Sequence, residues 1–156
     1  MAGLMARSIH AYALDLLAAR AYTVRNLRRK LTQKKFEPAE IDETVERLLS
    51  AGILDDSRYA ADYVVQRLAA GTAIRRVKQE LTRKGIEGTV ADRAIAAAVE
   101  DQPVNVDDEI ERLATKKLQS LGDIDDFAKR RRVFAFLARR GYELDDIKRV
   151  MNRAGR

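Results

Sequence analysis

The stretch Leu81-Thr82-Arg83-Lys84-Gly85-Ile86 decides how this sequence reads, because the same pattern stands at Leu31-Thr32-Gln33-Lys34-Lys35-Phe36 and at Leu137-Ala138-Arg139-Arg140-Gly141-Tyr142. The copies are about fifty residues apart, and a fixed period of that size marks a repeat architecture. Each copy runs from a leucine through basic residues to a glycine, or to Lys35 in the first copy, and then to an aromatic or aliphatic anchor. Nine residues beyond the anchors stand further apolar residues, Val45, Ile95 and Met151.

Around these stretches the apolar residues keep the helical period, as in Ile9, Ala13, Leu16, Leu17 and again in Val24, Leu27, Leu31. Strand-like alternation is missing. Pro38 suits a first helical turn, and Gly52, Gly71, Gly85, Gly122 and Gly141 follow apolar runs as C-terminal stops. The pattern predicts helices over 8–20, 23–34 and 38–51, then 56–70, 73–84 and 88–100, then 107–120, 125–140 and 143–154. The expected fold is all-α: a flexible N-terminus over 1–8, then three tandem three-helix, helix-turn-helix-like repeats over 9–54, 55–102 and 103–156. One trio buries little alone, so the repeats should stack on their neighbours in an elongated or curved array. A compact nine-helix globule is the other arrangement. The polar segment 101–106 reads as a linker, and 122–125 as an insertion in the third repeat.

The 156 residues include no cysteine and no tryptophan, and aromatics make up 6%. Disulfides and thiolate metal sites are excluded, and any core must rest on Leu, Ile, Val and Ala. Residues 9–19 are too short to span a bilayer and lack the regions of a signal peptide, so the expected location is the cytoplasm. No helix carries a sustained heptad seam, which leads to the expectation of a monomer without a membrane partner.

Asp-Asp occurs at Asp55-Asp56, Asp107-Asp108, Asp125-Asp126 and Asp145-Asp146. Four carboxylate pairs raise the thought of a metal-dependent nuclease, which needs carboxylates from separate elements converging on one point. The first three pairs, however, fall just before predicted helices and the fourth in a first turn. There an aspartate accepts bonds from unpaired amides and opposes the positive helix end. The single histidine, His10, has no ligand or base partner in sequence and is expected on a partly exposed helix face. No phosphate loop or catalytic triad pattern is present. The expectation is a binding protein, not an enzyme, with no metal and no cofactor.

Thirty Lys and Arg against 24 Asp and Glu leave a formal charge of +6, which favours an anionic partner. The cations concentrate on the second helix of every repeat. They are Arg25, Arg28, Arg29, Lys34 and Lys35; Arg75, Arg76, Lys78, Arg83 and Lys84; and Arg131, Arg132, Arg139 and Arg140, with Lys129 and Arg130 beside the last group. Counted back from the anchors, Arg25, Arg75 and Arg131 coincide, as do Lys34, Lys84 and Arg140. A cation near a helix C-terminus meets the dipole favourably, which accounts for the second set. Arg75-Arg76 and Lys129–Arg132 read as first-turn cations, which the dipole disfavours, so a row facing a polyanion or an acidic protein groove is expected.

The run Gly52-Ile-Leu-Asp-Asp-x-Arg58-Tyr59-Ala60-x-x-Tyr63-Val64-x-x-Arg67, followed by Gly71, Arg76-Val77, Glu80-Leu81 and Lys84-Gly85-Ile86, resembles the signature of the RecX family. The flanking repeats, with Leu27, Leu31, Phe36, Ile41 and Leu48 before it and Phe136–Tyr142 with Ile147 after it, are similar to that family's outer repeats. The resemblance implies a bacterial regulator of the RecA recombinase, without enzymatic activity. It would lodge in the groove of the RecA–DNA filament and restrain ATPase, strand exchange and co-protease action, modulating DNA repair and the SOS response. Partners would be the RecA nucleoprotein filament and single-stranded DNA, with double-stranded DNA a further ligand. On this reading Asp55 or Asp56 caps the central helix, and Tyr59 and Tyr63 pack on neighbouring helices. Arg58 and Arg67 either hold intramolecular carboxylates, the favoured role, or face the filament. Departures from the family pattern are Ala73 in place of a second glycine and Lys35 in place of the first repeat's glycine. The competing class is a helical regulator that binds DNA directly, since such trios with a basic helix can enter a major groove.

Overall fold

A computed structural model describes residues 7–155, and the start of the expected flexible N-terminus, residues 1–6, lies outside them. The described residues form helices and turns without a strand: α1 (Ile9–Ala19), α2 (Val24–Gln33), α3 (Pro38–Ser50), α4 (Asp56–Ala69), α5 (Ile74–Arg83), α6 (Gly88–Asp101), α7 (Val106–Ser120), α8 (Asp126–Arg139) and α9 (Leu144–Ala154). The backbone gathers into two compact units, Met1–Ala60 with Leu81–Ala91 and Ala61–Glu80 with Asp92–Arg156. The boundary between them cuts α4, α5 and α6.

The repeated stretch is a helix stop. In each copy the anchor's amide donates to the carbonyl of the leucine five residues earlier, at 3.3 Å for Phe36 to Leu31, 3.0 Å for Ile86 to Leu81 and 3.4 Å for Tyr142 to Leu137. The residue before the anchor is left-handed, with φ of 66° at Lys35, 84° at Gly85 and 95° at Gly141. This is the Schellman arrangement, in which the apolar residue after the stop folds back on the last helical turn. Leucine and anchor are therefore buried together or nearly so.

In the first unit Ala13, Tyr22, Leu27, Leu31, Ile41, Val45, Leu48 and Leu54 form the core. A second joint is added by the stop after α5. The Thr23 hydroxyl donates to the Lys84 carbonyl at 2.7 Å while accepting from the Asn26 amide at 3.2 Å. The stem of Arg25 lies so close to Gly85 that an added Cβ would sit 2.3 Å from the arginine Cδ. In the second unit Ile110, Leu113, Val133, Leu137, Tyr142, Ile147 and Val150 form the core. There the same joint recurs: the Ala73 amide donates to the Arg140 carbonyl at 2.9 Å, and a Cβ on Gly141 would sit 2.4 Å from the Cβ of Arg76. Tyr142 Oη donates to the Gly71 carbonyl at 3.2 Å, and burial pushes its phenol up to about 12, so it stays a donor at neutral pH. In both units the start of one second helix meets the end of another, and opposite dipole ends face each other.

This joint explains why Lys35 can replace glycine. Lys35 is exposed, with no joint arginine packed on it, so the first copy carries only the left-handed strain. Ala73 likewise needs no glycine conformation, because its role is to donate an amide and to pack beside the second core.

The opening carboxylates divide their work. Asp55 caps α4 by accepting from the Arg58 amide at 3.0 Å, whereas Asp56 accepts from the Val24 amide at 2.9 Å and so satisfies the first turn of α2. Burial raises the Asp56 carboxyl against the pull of that amide, so holding it charged costs the fold something. Arg58 closes the turn before α4 by donating to the carbonyls of Gly52 and Ile53. Asp125 caps α8, accepting from Ala128 at 2.9 Å. Asp107-Asp108 departs from expectation: α7 begins at Val106, its cap is Asn105, and both aspartates lie inside the first turn. Asp107 holds Arg149 at 2.6 Å and Arg153 at 2.9 Å instead.

A fourth element of the second unit is the carboxylate of Glu80, which is only 14% exposed. It accepts from Tyr63 Oη at 2.9 Å, from Arg67 Nε and Nη2 at 2.9 and 3.0 Å, and from Arg76 Nε at 3.2 Å. Burial by itself would raise this carboxyl, but Arg67, then Tyr63 and Arg76, outweigh it and hold the group below its ordinary range. Arg67 thus takes the intramolecular role.

Two measurements check these joints. Gly85→Ala and Gly141→Ala should each lower urea stability by at least about 1 kcal/mol more than Gly52→Ala. Gly52 has the same left-handed backbone but nothing within 4 Å of its missing Cβ. Lys35→Gly should raise stability by about 1 kcal/mol. Equal losses at all three glycines would refute the packing account. Glu80→Gln should cost roughly 1–3 kcal/mol at pH 7. Because the folded carboxyl is depressed, its contribution is complete above the unfolded value near 4.5 and fades as pH falls through the lower folded value. Urea midpoints of wild type and variant should therefore converge in acid, and a constant gap would show that the charge plays no part.

Candidate nucleic-acid interface

The repeated cations separate by what they touch. Arg28 pairs with Asp42 across α2 and α3, Arg75 with Glu143 at 3.2 Å, and Lys78 with Asp92 at 2.6 Å. Arg76 is bound to Glu80 at 3.2 Å. The Lys34 ammonium sits 5.7 Å from the Tyr12 ring centre. Arg140 donates to the Ala70 carbonyl and lies 4.6 Å over the Phe136 ring. Lys84 is half-buried and lends its carbonyl to Thr23, and Arg25 lends its stem to Gly85.

These contacts change the reading of the first-turn cations. Arg25 and Arg76 occupy the positive ends of α2 and α5, yet each packs against the turn that ends another second helix, where carbonyls concentrate negative potential. Their position has a structural cause. Lys129–Arg132 need no such account, because α8 starts at Asp126 and the dipole effect fades within one turn. Arg131 and Arg132 lie in the second turn.

Exposed ion pairs contribute only about 0–1 kcal/mol, so Arg28, Arg75 and Lys78 can exchange their partners for another anion at little cost. Arg76 cannot, since releasing it would strip a donor from a largely buried carboxylate. Arg29, Lys35, Arg83, Arg131, Arg132 and Arg139 are exposed and make no hydrogen bond or ion pair to another described residue. Three of these six stand on α8. Along that helix no carboxylate follows Asp126, and half-buried Ala128 and Ala135 stand between the arginines and keep the surface low. The core face of α8 is set by Val133 and Leu137. At about 100° per residue, Arg131, Arg132 and Arg139 fall on the opposite side. The arrangement offers free guanidinium groups to a run of phosphates or to carboxylates.

The residues expected to be structural hold turns and side chains within their own units. Asp55, Asp56 and Arg58 fix the turn into α4, Tyr59 is half-buried, and Tyr63 and Arg67 hold Glu80. Sequence reasoning gave Glu80 no role, although its spacing of four from Arg76 was a visible helix pair. The Asp56 bond to Val24 spans 32 residues and left no local sign. His10 is half-buried, and its Nδ1 has no partner among the described residues. Among those residues no group of three or more His, Cys, Asp or Glu could hold a metal ion, and no helix is long and apolar enough to cross a membrane.

The order of repeats agrees with known proteins. The family model described as RecX, first three-helix domain, matches residues 10–48; the second three-helix domain matches 55–95 and the third 106–151. The chain is 37% identical over 147 residues to the regulatory protein RecX of Trichlorobacter lovleyi, covering 90% of this chain and 92% of that one. It is 32% identical to the regulatory protein RecX of Pseudomonas syringae pv. tomato, covering 95% and 92%. The crystal structure of RecX from Lactobacillus salivarius superimposes with a TM-score of 0.70 at 20% identity, over 93% of each chain. Three tandem three-helix domains in the family's order, with this identity over nearly the full length, make the chain a member of the RecX family.

Proposed function

We propose that this protein binds the RecA–DNA filament and inhibits its recombinase, ATPase and co-protease activities, and thereby modulates DNA repair and the SOS response. It acts in the cytoplasm, by occupancy, with no active site of its own. Family membership supports the regulatory role, and one observation carries the mode of contact. Arg131, Arg132 and Arg139 are exposed and unpaired among the described residues on the outer side of α8, with Arg29, Lys35 and Arg83 similarly free elsewhere. Unpaired guanidinium groups on a carboxylate-free face are suited to the charge and geometry of a phosphate backbone.

The row reads backbone charge and not sequence. Direct base readers present polar side chains such as Asn and Gln to groove edges, and the outward side of α8 carries only Arg and Ala between Ala128 and Arg139. This favours single-stranded DNA within the filament over a sequence-specific duplex site.

Arg131→Ala, Arg132→Ala and Arg139→Ala combined should weaken binding to single-stranded DNA and to the assembled filament by about tenfold or more, with thermal unfolding nearly unchanged. If the contacts are to phosphates, the slope of log affinity against log salt on single strands should fall by about 0.7 for each contact removed. Loss of filament binding without a change of slope would assign the row to protein carboxylates. Unchanged binding to both ligands would refute the interface. Arg76→Ala is the contrasting variant, since it should lose stability through Glu80.

A further inference from the structure

We propose that Phe127 is a stacking platform for an unpaired base of single-stranded nucleic acid, set beside the arginine row of α8. The proposal rests on the reading of that row as a phosphate contact and adds a base contact to it. Of the four phenylalanines in the chain, Phe36 packs against the first core, and Phe134 and Phe136 against the second. Phe127 belongs to neither and is 76% exposed. Other rings of the protein are covered by cations or rings: Phe136 by Arg140 at 4.6 Å and Lys117 at 5.4 Å, Tyr22 by Arg20 at 4.6 Å, and Phe36 by Tyr12 at 5.8 Å. The Phe127 ring makes no such contact with a described residue.

Its helix gives the ring a chemical setting. α8 has 14 residues where α2 and α5 have 10 each, and the additional length lies at its start. Aligned by its closing turn with α5, the position that matches Ala73 is Lys129, so Phe127 stands on a turn that the other second helices lack. On a helix the neighbours of residue 127 are 130 and 131, with side chains about 5–6 Å apart at Cβ. Arg130 is held by a hydrogen bond from Nη2 to Asn152 Oδ1, while Arg131 is unpaired among the described residues. The nearby carboxylates are engaged or turned aside: Asp125 accepts from the Ala128 amide, and Asp126 lies about 100° round the helix, 4.0 Å from Lys129. An open aromatic face with a free guanidinium one turn away matches a nucleotide whose base is unstacked and whose phosphate is within reach. A duplex, with its bases stacked on each other, offers no such face.

The test uses the full chain with oligo(dT) of about fifteen nucleotides and an abasic oligomer of equal length, which keeps the phosphates and lacks the bases. Wild type should prefer oligo(dT) by about tenfold. Phe127→Ala should erase that preference and leave abasic binding unchanged. Phe127→Trp should keep it, and because the chain has no tryptophan, the emission of the introduced indole reports this position alone. Quenching by oligo(dT) but not by the abasic oligomer is the expected result. Full oligo(dT) affinity in Phe127→Ala, or unchanged indole emission at saturation, would overturn the platform while leaving the arginine row standing. Loss of filament binding in Phe127→Ala with the base preference intact would make the ring a protein anchor, which also overturns it. If the three arginine substitutions leave oligo(dT) binding unchanged, the row itself fails and the platform fails with it.

Discussion

The structure depends on one tight approach: an arginine stem lying where the Cβ of a left-handed glycine would be. At Gly85 and Gly141 the backbone must turn with positive φ to end a helix, and the missing side chain leaves room for Arg25 and Arg76. The turn that stops a second helix is thereby also the surface on which the start of another second helix rests. A bond from the Thr23 hydroxyl to the Lys84 carbonyl and one from the Ala73 amide to the Arg140 carbonyl complete it. Carbonyls left over at one helix end meet a hydroxyl or an amide at the start of another, so each joint satisfies groups that would otherwise need water. A repeat protein whose trios bury small cores, without tryptophan and with few aromatic rings, gains much of its definition from such joints.

The same economy governs the charges. A protein this basic could be read as a field of interchangeable cations, yet the side chains have different tasks. Arg76 serves both a glycine turn and the carboxylate of Glu80, and Arg67 and Tyr63 complete that site, joining α4 to α5 within the second unit. Arg140 reaches the carbonyl of Ala70 while covering Phe136. Removing such residues would disturb folding. Arg131, Arg132 and Arg139 have no such duty among the described residues, and this freedom makes them suited to an external anion. Attachment through guanidinium groups on a helix loses little side-chain entropy per contact.

Sequence by itself determined the all-α class and the three trios, because leucine period, glycine stops and capping residues are local signals that physics makes explicit within a few residues. The Leu–x–x–x–Gly–anchor pattern is a hydrogen-bonded turn written in sequence, and Lys35 stands out in it because only that copy carries a non-glycine at positive φ. Asp55 and Asp125 as caps were legible for the same reason. The family signature was legible too, since its residues are contiguous in the α4 region.

Only the tertiary structure decided which cations are free. Arg75, Arg76 and Arg131 look alike in a helical register, but one meets Glu143, one meets Glu80, and one meets no described partner. The difference arises from residues far away in the chain, as does the bond between Asp56 and Val24. It also settled that Arg25 and Arg76 sit at positive helix ends for a structural reason, which the dipole of a single helix could not reveal. Periodicity reports which side of a helix faces inward; what waits on the other side depends on how distant segments pack, and no local rule encodes that.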